Sequence, residues 1–250
     1  MDNQTQNKLD EYLAGLLLST ARKRYPDLAR KAEQENLGYS EYLMTVVQEE
    51  VEARRNRRID RHLRESRLPM EKNLETFEIK RLPDKVRYQL KTLLEGKFLD
   101  YKENILIFGN PGSGKSHLVC ALGQELIRQG KKIYFTTCAL LLQELLAAKR
   151  DLNLPKVIKK LNNYQAIIID DLGYVQQEKE EMEVLFTLLA ERYERNSIMI
   201  TSNLPFSKWE KIFKDPMMTA AAIDRIVHHS VIMELNLSSY RINAAKSRKI

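Results

Sequence analysis

The chain of 250 residues lacks the features that mark membrane and secreted proteins. Its longest strongly apolar runs lie around Ala139–Leu142 and at Ala166–Ile169. Both fall far short of the ~20 residues that a helix needs to cross a bilayer. The N-terminus has no positively charged start followed by an apolar stretch, so we expect no secretory signal. These absences lead us to expect a cytoplasmic location and no membrane partner.

Cysteine and histidine are scarce as well. The only two cysteines, Cys120 and Cys138, fit no disulfide framework and no metal-binding spacing. Among the four histidines, the adjacent pair His228–His229 does not have the spacing of metal ligands on a helix. We therefore expect a reducing compartment and no structural metal centre built from these residues.

Basic residues are present in excess, with a net charge of +7 and a pI near 9.2, but they are unevenly distributed. Residues 54–67 hold seven arginines against Asp60 and Glu65, whereas residues 1–53 are net acidic. The run suits DNA phosphates or a protein partner, and the alternative is a solvated helix face with intrahelical ion pairs. The candidate DNA contacts in this run are Arg54, Arg55, Arg57, Arg58 and Arg61.

The pattern of apolar residues changes along the chain. Leucines at helical spacing from Leu9 to Leu17 predict a first helix, and Pro26 suits the first turn of a second one. We expect a small all-helical domain at residues 1–68 and an α/β domain at residues 69–250. In the second domain, near-continuous apolar runs alternate with helical segments, which predicts a parallel sheet buried on both faces. The predicted strands are 104–108, 133–137, 166–169, 197–201 and 231–235.

Residues 109–116, GNPGSGKS, match the phosphate-binding pattern G-x-x-x-x-G-K-[ST]. A predicted strand enters the motif and a predicted helix leaves it, which is the context that disfavours a chance glycine-rich turn. The glycines let backbone N–H groups face phosphates, Lys115 is expected to reach the β- and γ-phosphates of ATP, and the Ser116 hydroxyl is expected to bind Mg²⁺. The candidate ATP contacts are Gly109, Asn110, Pro111, Gly112, Ser113, Gly114, Lys115 and Ser116.

Polar residues end two further predicted strands. Asp170 and Asp171 follow the run AIII, and ligands of parallel α/β sheets sit at the carboxyl ends of strands. Asp170 is a candidate Mg²⁺ ligand through water, and Asp171 a candidate to orient or deprotonate an attacking water; the alternative is a solvated strand end or helix cap. Asn203 could orient the same water with help from Thr201, or simply form a turn before Leu204.

Taken in order, GNPGSGKS, IIIDDLGY, TSNLP, AAIDRIVHH and SSYR resemble the insertion-sequence transposition helper ATPases of the IstB-like family. That family belongs to the AAA+ class and is related to the DnaC helicase loader and the DnaA initiator. Residues Arg67–Ile79 also look like its lead-in, so the resemblance covers essentially the whole chain. It implies an AAA+ P-loop ATPase at 69–250 with a reduced or absent C-terminal lid. The acidic pair here is Asp-Asp, whereas the wider class has Asp-Glu, which leaves the hydrolysis rate open.

The resemblance also implies roles for single residues. Asn203 becomes a γ-phosphate sensor, and Arg225 becomes an arginine finger that completes a neighbouring subunit's site; its alternative is a surface ion pair. Arg241 is either a second phosphate sensor or a DNA contact. By analogy with an inserted helix that lines a DNA-facing pore, five basic residues become candidate phosphate contacts, the alternative being a solubilising surface patch. These are Lys149, Arg150, Lys156, Lys159 and Lys160.

The resemblance implies an ATP-dependent transposition regulator that oligomerises on duplex DNA, selects or remodels the target and recruits an IstA-like transposase. ATP hydrolysis would reset the assembly. A replicative helicase loader is the nearest alternative. A small-molecule P-loop kinase and a non-hydrolysing nucleotide switch are the others. DNA-stimulated ATPase activity would distinguish the expected function from the kinase, and Asp171→Asn would leave turnover unaffected in the switch.

Overall fold

The computed structural model describes residues 3–173, 178–209 and 216–240. It separates into two compact units, one ending at Arg61 and the other beginning at His62. The division into domains at residues 1–68 and 69–250 remains a prediction. No helix of the described residues is both long and apolar enough to cross a membrane.

The first unit is built from helices. They are α1 (Asn3–Gly15), α2 (Ser19–Glu35) and α3 (Tyr39–Ser66), the last of which runs past the unit boundary. Tyr25 and Leu28 of α2 pack with Val46 of α3, and Leu9 and Leu13 cover this small core. Helix α1 ends at Gly15, so Leu16 and Leu17 of the predicted stripe lie beyond it, and both are exposed.

Pro26 lies inside α2 and not in its first turn, so the predicted start of the second helix was wrong. A proline in a helix interior removes one backbone hydrogen bond and disfavours the helix. Here buried residues on both sides of the proline, Ala21 and Tyr25 before it and Leu28 and Ala32 after it, hold the helix against the core. Tertiary packing therefore outweighs the local signal.

The second unit contains a five-stranded parallel sheet in the order β2-β3-β4-β1-β5. The apolar runs that predict strands all form strands, because side chains on both faces are covered by helices. The strands are β1 (Asn104–Gly109), β2 (Ile133–Thr137), β3 (Ala166–Leu172), β4 (Ser197–Ser202) and β5 (Ser230–Leu235). The predicted α/β fold with a parallel central sheet is confirmed.

Helices connect these strands and pack on the sheet. Thr137 begins the helix after β2 by accepting a hydrogen bond from the Leu140 backbone N–H at 3.4 Å, as an N-cap does. Within the described part of this unit, the α-helices are α4 (Asp84–Leu93), α5 (Lys115–Arg128), α6 (Cys138–Arg150), α7 (Leu154–Leu161), α8 (Lys179–Arg192) and α9 (Pro216–Val227).

Strand order determines which loops meet. Strand β4 lies between β3 and β1, and all three run in the same direction. The segments that follow their carboxyl ends therefore lie side by side at one edge of the sheet. Those segments carry the glycine-rich motif, the acidic pair and Asn203.

Candidate functional site

The glycine-rich motif, residues 109–116, forms the turn between β1 and α5. Gly112 has φ = 78°, and a Cβ there would collide with the Ser239 side chain. Gly114 has φ = 99°, and a Cβ there would lie 3.2 Å from Phe77 Cε2. Both positions combine a left-handed backbone with close neighbours, which only glycine tolerates without strain. The loop ends at the N-terminus of α5, where backbone N–H groups and the helix dipole favour an anion.

Lys115 lies across this loop. Its Nζ donates hydrogen bonds to the carbonyl oxygens of Gly109 at 2.8 Å and Asn110 at 3.1 Å, and the residue is only 6% exposed. The neighbouring Ser113 hydroxyl is buried and has no hydrogen-bond partner among the described residues. A buried polar atom without a partner is costly. Ser113 is therefore the residue of the loop whose side chain has an unmet hydrogen-bonding requirement among the described residues.

The acidic pair ends β3 in two different environments. Asp170 is 4% exposed, whereas Asp171 is exposed at the mouth of the site with φ = 61°. The pairing of β3 with β4 shifts register between Ile169 and Leu172, so the two acids sit at an irregular step. This step lets consecutive carboxylates of one strand take up separate positions.

Thr201 of β4 links the two acids. Its Oγ1 donates to Asp170 Oδ1 at 2.5 Å and accepts a hydrogen bond from the Asp171 backbone N–H at 2.9 Å. The residue is fully buried, so the hydroxyl is held in one orientation. The expectation that Thr201 assists Asn203 did not include this direct link to the acidic pair.

Asn203 follows β4 and faces the same space. Its Oδ1 is buried and has no hydrogen-bond partner among the described residues. Asn203, Asp171, Ser116 and the glycine-rich loop line one cleft of about 440 Å³, which we call the P-loop cleft. The fold therefore gathers sequence-predicted site residues from three separate segments.

The segment before α4 forms one wall of the P-loop cleft. The Phe77 ring packs edge-on against His117, with ring centroids 5.1 Å apart. His117 Nε2 lies 3.0 Å from the Asn73 carbonyl oxygen and 3.1 Å from Thr76 Oγ1. These contacts hold the lead-in segment against α5. The resemblance of Arg67–Ile79 to a family lead-in was the only sequence signal for this wall.

The segment after β5 forms another wall. The Tyr240 backbone N–H donates to the Gly112 carbonyl at 2.9 Å. Arg81 donates to the Ser238 carbonyl at 2.9 Å, and its guanidinium lies 5.4 Å from the centre of the Tyr240 ring. Both Arg81 and Tyr240 line the P-loop cleft, and sequence reasoning assigned neither to it. The predicted phosphate sensor Arg241 lies outside the described residues.

Arg225 is not brought to the P-loop cleft. It lies on α9, where its Nη1 donates to the Ala221 carbonyl at 3.0 Å and its guanidinium lies 4.9 Å from the Phe186 ring centre. It lines a small pocket with Asn104, the first residue of β1, and Ile198, the second residue of β4. Arg225 therefore sits at the amino edge of the sheet, opposite the cleft, and cannot complete the site of its own chain.

Two arginines of the run in α3 have a structural partner. Glu50 is 3% exposed and accepts hydrogen bonds from Arg54 Nε at 2.8 Å, Arg57 Nη2 at 3.4 Å and the backbone N–H groups of Thr20 and Ala21. Burial raises the pKa of Glu50, but the backbone donors and Arg54 outweigh it and hold that pKa below its ordinary value. The sequence analysis compared the arginines only with acidic residues inside residues 54–67. It therefore missed Glu50, which lies one helical turn before that run.

Three other arginines of the run are differently placed. Arg55, Arg58 and Arg61 are exposed, and they make no hydrogen bond or ion pair with the residues that the structure describes. Their guanidinium groups remain available for phosphate oxygens or a protein partner.

The second basic set lies on and beside α7. Lys149 pairs with Glu183 at 3.0 Å, with both side chains partly exposed. Helix α7 buries Ile158 and Leu161, and its three predicted phosphate contacts are exposed to solvent. Arg150, at the end of α6, is exposed as well. The three lysines of α7 are Lys156, Lys159 and Lys160.

The amino-acid sequence is similar to a known protein family along nearly its whole length. A family model described as IstB-like ATP binding protein matches residues 12–248. A protein of Sinorhizobium fredii named for its insertion sequence and ATP binding is 41% identical over 249 residues, covering 97% of this chain and 84% of that protein. The ATP-binding protein of insertion sequence IS5376 from Geobacillus stearothermophilus is 34% identical, with 95% and 94% covered.

Solved structures resemble the fold at lower identity. AMPPCP-bound DnaA from Aquifex aeolicus superposes with a TM-score of 0.56 and 17% identity, covering 73% of this chain and 55% of that chain. The DnaC helicase loader superposes with a TM-score of 0.52 and 18% identity, covering 66% and 97%. At such identities the likeness shows the AAA+ type of fold alone.

Proposed function

The chain belongs to the family of IstB-like ATP-binding proteins, and we propose that it is an ATPase that regulates transposition on duplex DNA. The observation that carries the ATPase proposal is the convergence of three segments on one cleft: the phosphate-binding loop, the Asp170–Thr201–Asp171 cluster and Asn203. Each segment contributes a group that phosphoryl transfer to water requires.

The residues divide the reaction between them. The loop N–H groups and Lys115 bind the β- and γ-phosphates and stabilise their charge. Asp171 takes a proton from a water that Asn203 orients. The water oxygen bonds to the γ-phosphorus while the bond from that phosphorus to the bridging oxygen breaks, which leaves ADP and phosphate. The exposed position of Asp171 in the cleft and the unpartnered Asn203 Oδ1 support this division.

Mg²⁺ fits the oxygen donors beside the loop. Ser116 and Asp170 offer a hydroxyl and a carboxylate, which are the hard oxygen ligands that this ion prefers. When bound, Mg²⁺ would neutralise part of the phosphate charge. The hydrogen bond from Thr201 holds the buried Asp170 carboxylate in one orientation.

Arg225 supports hydrolysis in trans within a homo-oligomer. Because it lies at the edge of the sheet opposite the P-loop cleft, it can stabilise transition-state charge only in a neighbouring subunit. Hydrolysis then depends on assembly, and assembly can be controlled by what the subunits bind.

Mixing two inactive variants tests this arrangement. Lys115→Ala and Arg225→Ala should each lose most activity alone. An equal mixture should regain about a quarter of the wild-type rate, because random assembly joins an intact Lys115 to an intact Arg225 at about one interface in four. A mixture no more active than either variant would contradict the trans role, and an active Arg225→Ala variant would contradict any role for that residue.

Duplex DNA is the proposed platform for assembly, and the exposed arginines of α3 and lysines of α7 are the proposed phosphate contacts. Each contact releases counterions, so binding weakens as salt rises. Replacing Arg55, Arg58 and Arg61 together by alanine should make the slope of log K against log salt less steep by about 2.7.

Three other exposed basic residues of the helical unit, Arg24, Arg30 and Lys31, have carboxylate partners and provide the control. Their triple alanine variant should change the slope by less than about one contact. Equal slopes for both triple variants would contradict the arginine assignment. Electron microscopy with ATP and duplex DNA that shows only monomers would overturn the assembly proposal.

A transposase of the IstA type is the proposed partner because relatives at 41% and 34% identity are named for insertion sequences. The helicase-loader alternative is supported only by fold likeness. Pull-down of the full chain against a transposase and against a replicative helicase separates the two. Capture of the helicase alone would reject the transposition proposal and leave the ATPase proposal standing.

A further inference from the structure

Three side chains that commonly bind metals converge at the amino edge of the sheet, away from the P-loop cleft. They are Glu194, which follows α8, and His228 and His229, which lie between α9 and β5. One ligand atom from each lies within 4.8 Å of the others. The sequence expectation set the histidine pair aside because adjacent residues diverge on a helix. Helix α9 ends at Val227, so that reason does not apply to the folded chain.

The turn that carries the histidines is held at both ends. The His228 backbone N–H donates to the Asp224 carbonyl at 3.0 Å, and the Ser230 hydroxyl donates to the Val227 carbonyl at 3.1 Å. The His229 carbonyl accepts a hydrogen bond from the Asn104 backbone N–H at the start of β1. These bonds restrict the backbone that positions both rings, whose centroids are 4.2 Å apart.

The turn that carries Glu194 is held as well. The Arg192 carbonyl accepts hydrogen bonds at 3.0 Å from the backbone N–H groups of Arg195 and Asn196, which closes the turn around Glu194. The neighbouring Tyr193 hydroxyl lies 3.3 Å from His228 Nδ1. A hydrogen bond on one ring nitrogen orients a histidine and leaves the other nitrogen for a metal.

We propose that Glu194, His228 and His229 bind a divalent transition metal ion, represented by Zn²⁺. Two imidazoles and one carboxylate suit Zn²⁺, Co²⁺ or Ni²⁺, whereas Mg²⁺ prefers oxygen ligands alone. Three protein ligands leave a further position for water or for a group from a second molecule. Ligands on restricted backbone bind more tightly because less freedom is lost on binding.

This site differs from the proposed Mg²⁺ position in both chemistry and place. Glu194 and His229 line the same small pocket as Arg225, at the edge of the sheet opposite the P-loop cleft. Metal binding does not depend on the proposed function. One consequence does rest on the proposed function: if Arg225 reaches a neighbouring subunit, the bound ion lies on the surface that meets that subunit.

Cobalt titration of the tag-free, nucleotide-free full chain tests the site directly. We expect one equivalent of Co²⁺ to give the visible absorption of a bound ion and Zn²⁺ to displace it. Glu194→Gln should weaken binding about tenfold or more, and the double variant His228→Gln/His229→Gln should abolish it. All three residues are exposed, so these changes should leave the melting temperature unchanged.

Two control variants limit the interpretation. Glu191→Gln changes an exposed carboxylate on α8 that pairs with Arg195, and Asp170→Asn changes the proposed Mg²⁺ ligand. Both should bind Co²⁺ as the wild type does. Wild-type affinity in the double histidine variant, or in Glu194→Gln, would overturn the proposal. ATP hydrolysis with Mg²⁺ is measured separately, so failure of the metal site is distinguishable from failure of the ATPase proposal.

Discussion

Basic and amide side chains occur at both the carboxyl and the amino edge of the central sheet, but they make different contacts there. At the carboxyl edge, Lys115 and Asn203 line a cleft, and Asn203 Oδ1 has no partner among the described residues. At the amino edge, Arg192 and Asn104 are turned inward onto the chain's own backbone. Among these four residues, the two at the carboxyl edge line a candidate ligand cleft, whereas the two at the amino edge tie the ends of strands together.

Arg192 shows how the amino edge is built. It is fully buried and donates to the carbonyl oxygens of Leu161 at 3.0 Å, Tyr164 at 3.0 Å and Ser197 at 2.9 Å. Burial lowers the pKa of its guanidinium to about 9, so it remains charged near neutral pH. The fork of guanidinium donors ties the end of α7, the start of β3 and the start of β4 together.

Asn104 acts in the same way at the start of β1. Its Nδ2 donates to the Ile226 carbonyl at 3.0 Å, and its Oδ1 accepts from the Ile198 backbone N–H at 2.8 Å. Both polar atoms of the amide are therefore used. Asn203 at the other edge has the same side chain, but its carbonyl oxygen is buried without such a partner among the described residues.

The largest expected effect lies at the carboxyl edge. Lys115→Met should reduce ATP hydrolysis by about 100- to 1,000-fold, because a positioned cation at the transferring phosphate is lost. Steady-state hydrolysis at saturating ATP and Mg²⁺ measures the change, and thermal melting shows whether the variant stays folded. Lys97→Met, at a well-exposed lysine, should keep the wild-type rate. Hydrolysis within twofold of wild type in Lys115→Met would remove the difference between the two edges.

The next effect lies at the amino edge and concerns stability. Arg192→Leu should lower the free energy of unfolding by about 2–4 kcal/mol, because buried carbonyls lose their donors while the cost of burying a charge is relieved. Urea unfolding measures it. Arg195→Leu, at an exposed residue of the same segment, should change stability by less than about 0.5 kcal/mol. If Arg192→Leu lost hydrolysis at unchanged stability, Arg192 itself would have a functional role, and its contrast with Lys115 would fail.

Sequence reasoning succeeded where the signal is local. The five apolar runs became the five strands, and GNPGSGKS is contiguous with the strand and helix that surround it. Asp170, Asp171 and Asn203 follow strands directly, so the rule that ligands lie at carboxyl ends was enough to bring them together.

Sequence reasoning missed residues whose contacts come from distant segments of the chain. Phe77 and Tyr240 face one cleft from opposite ends of the second unit, and no local pattern links them. Arg192 sits in a charged stretch, LLAERYERN, that is typical of an exposed helix end, because arginines are seldom fully buried. Glu194 joined the histidine pair for the same reason: the ligand set exists only after β4 and β5 have been placed in the sheet.

The smallest of the three effects concerns Thr201, which tests whether the carboxyl edge is positioned by its own strands. Thr201→Val keeps the shape but removes the hydroxyl that joins Asp170 to the Asp171 backbone. The hydrolysis rate at saturating ATP should fall about 10- to 100-fold with little change in KM, since the acids that act on Mg²⁺ and water lose their orientation but the phosphate loop does not. Thr201→Ser should recover most of the rate, and Thr187→Val, at an exposed hydroxyl on α8, should have no effect. An equal loss of rate in Thr201→Ser would contradict this role. Serine keeps the bridging hydroxyl and lacks only the methyl group, so such a loss would assign Thr201 to packing.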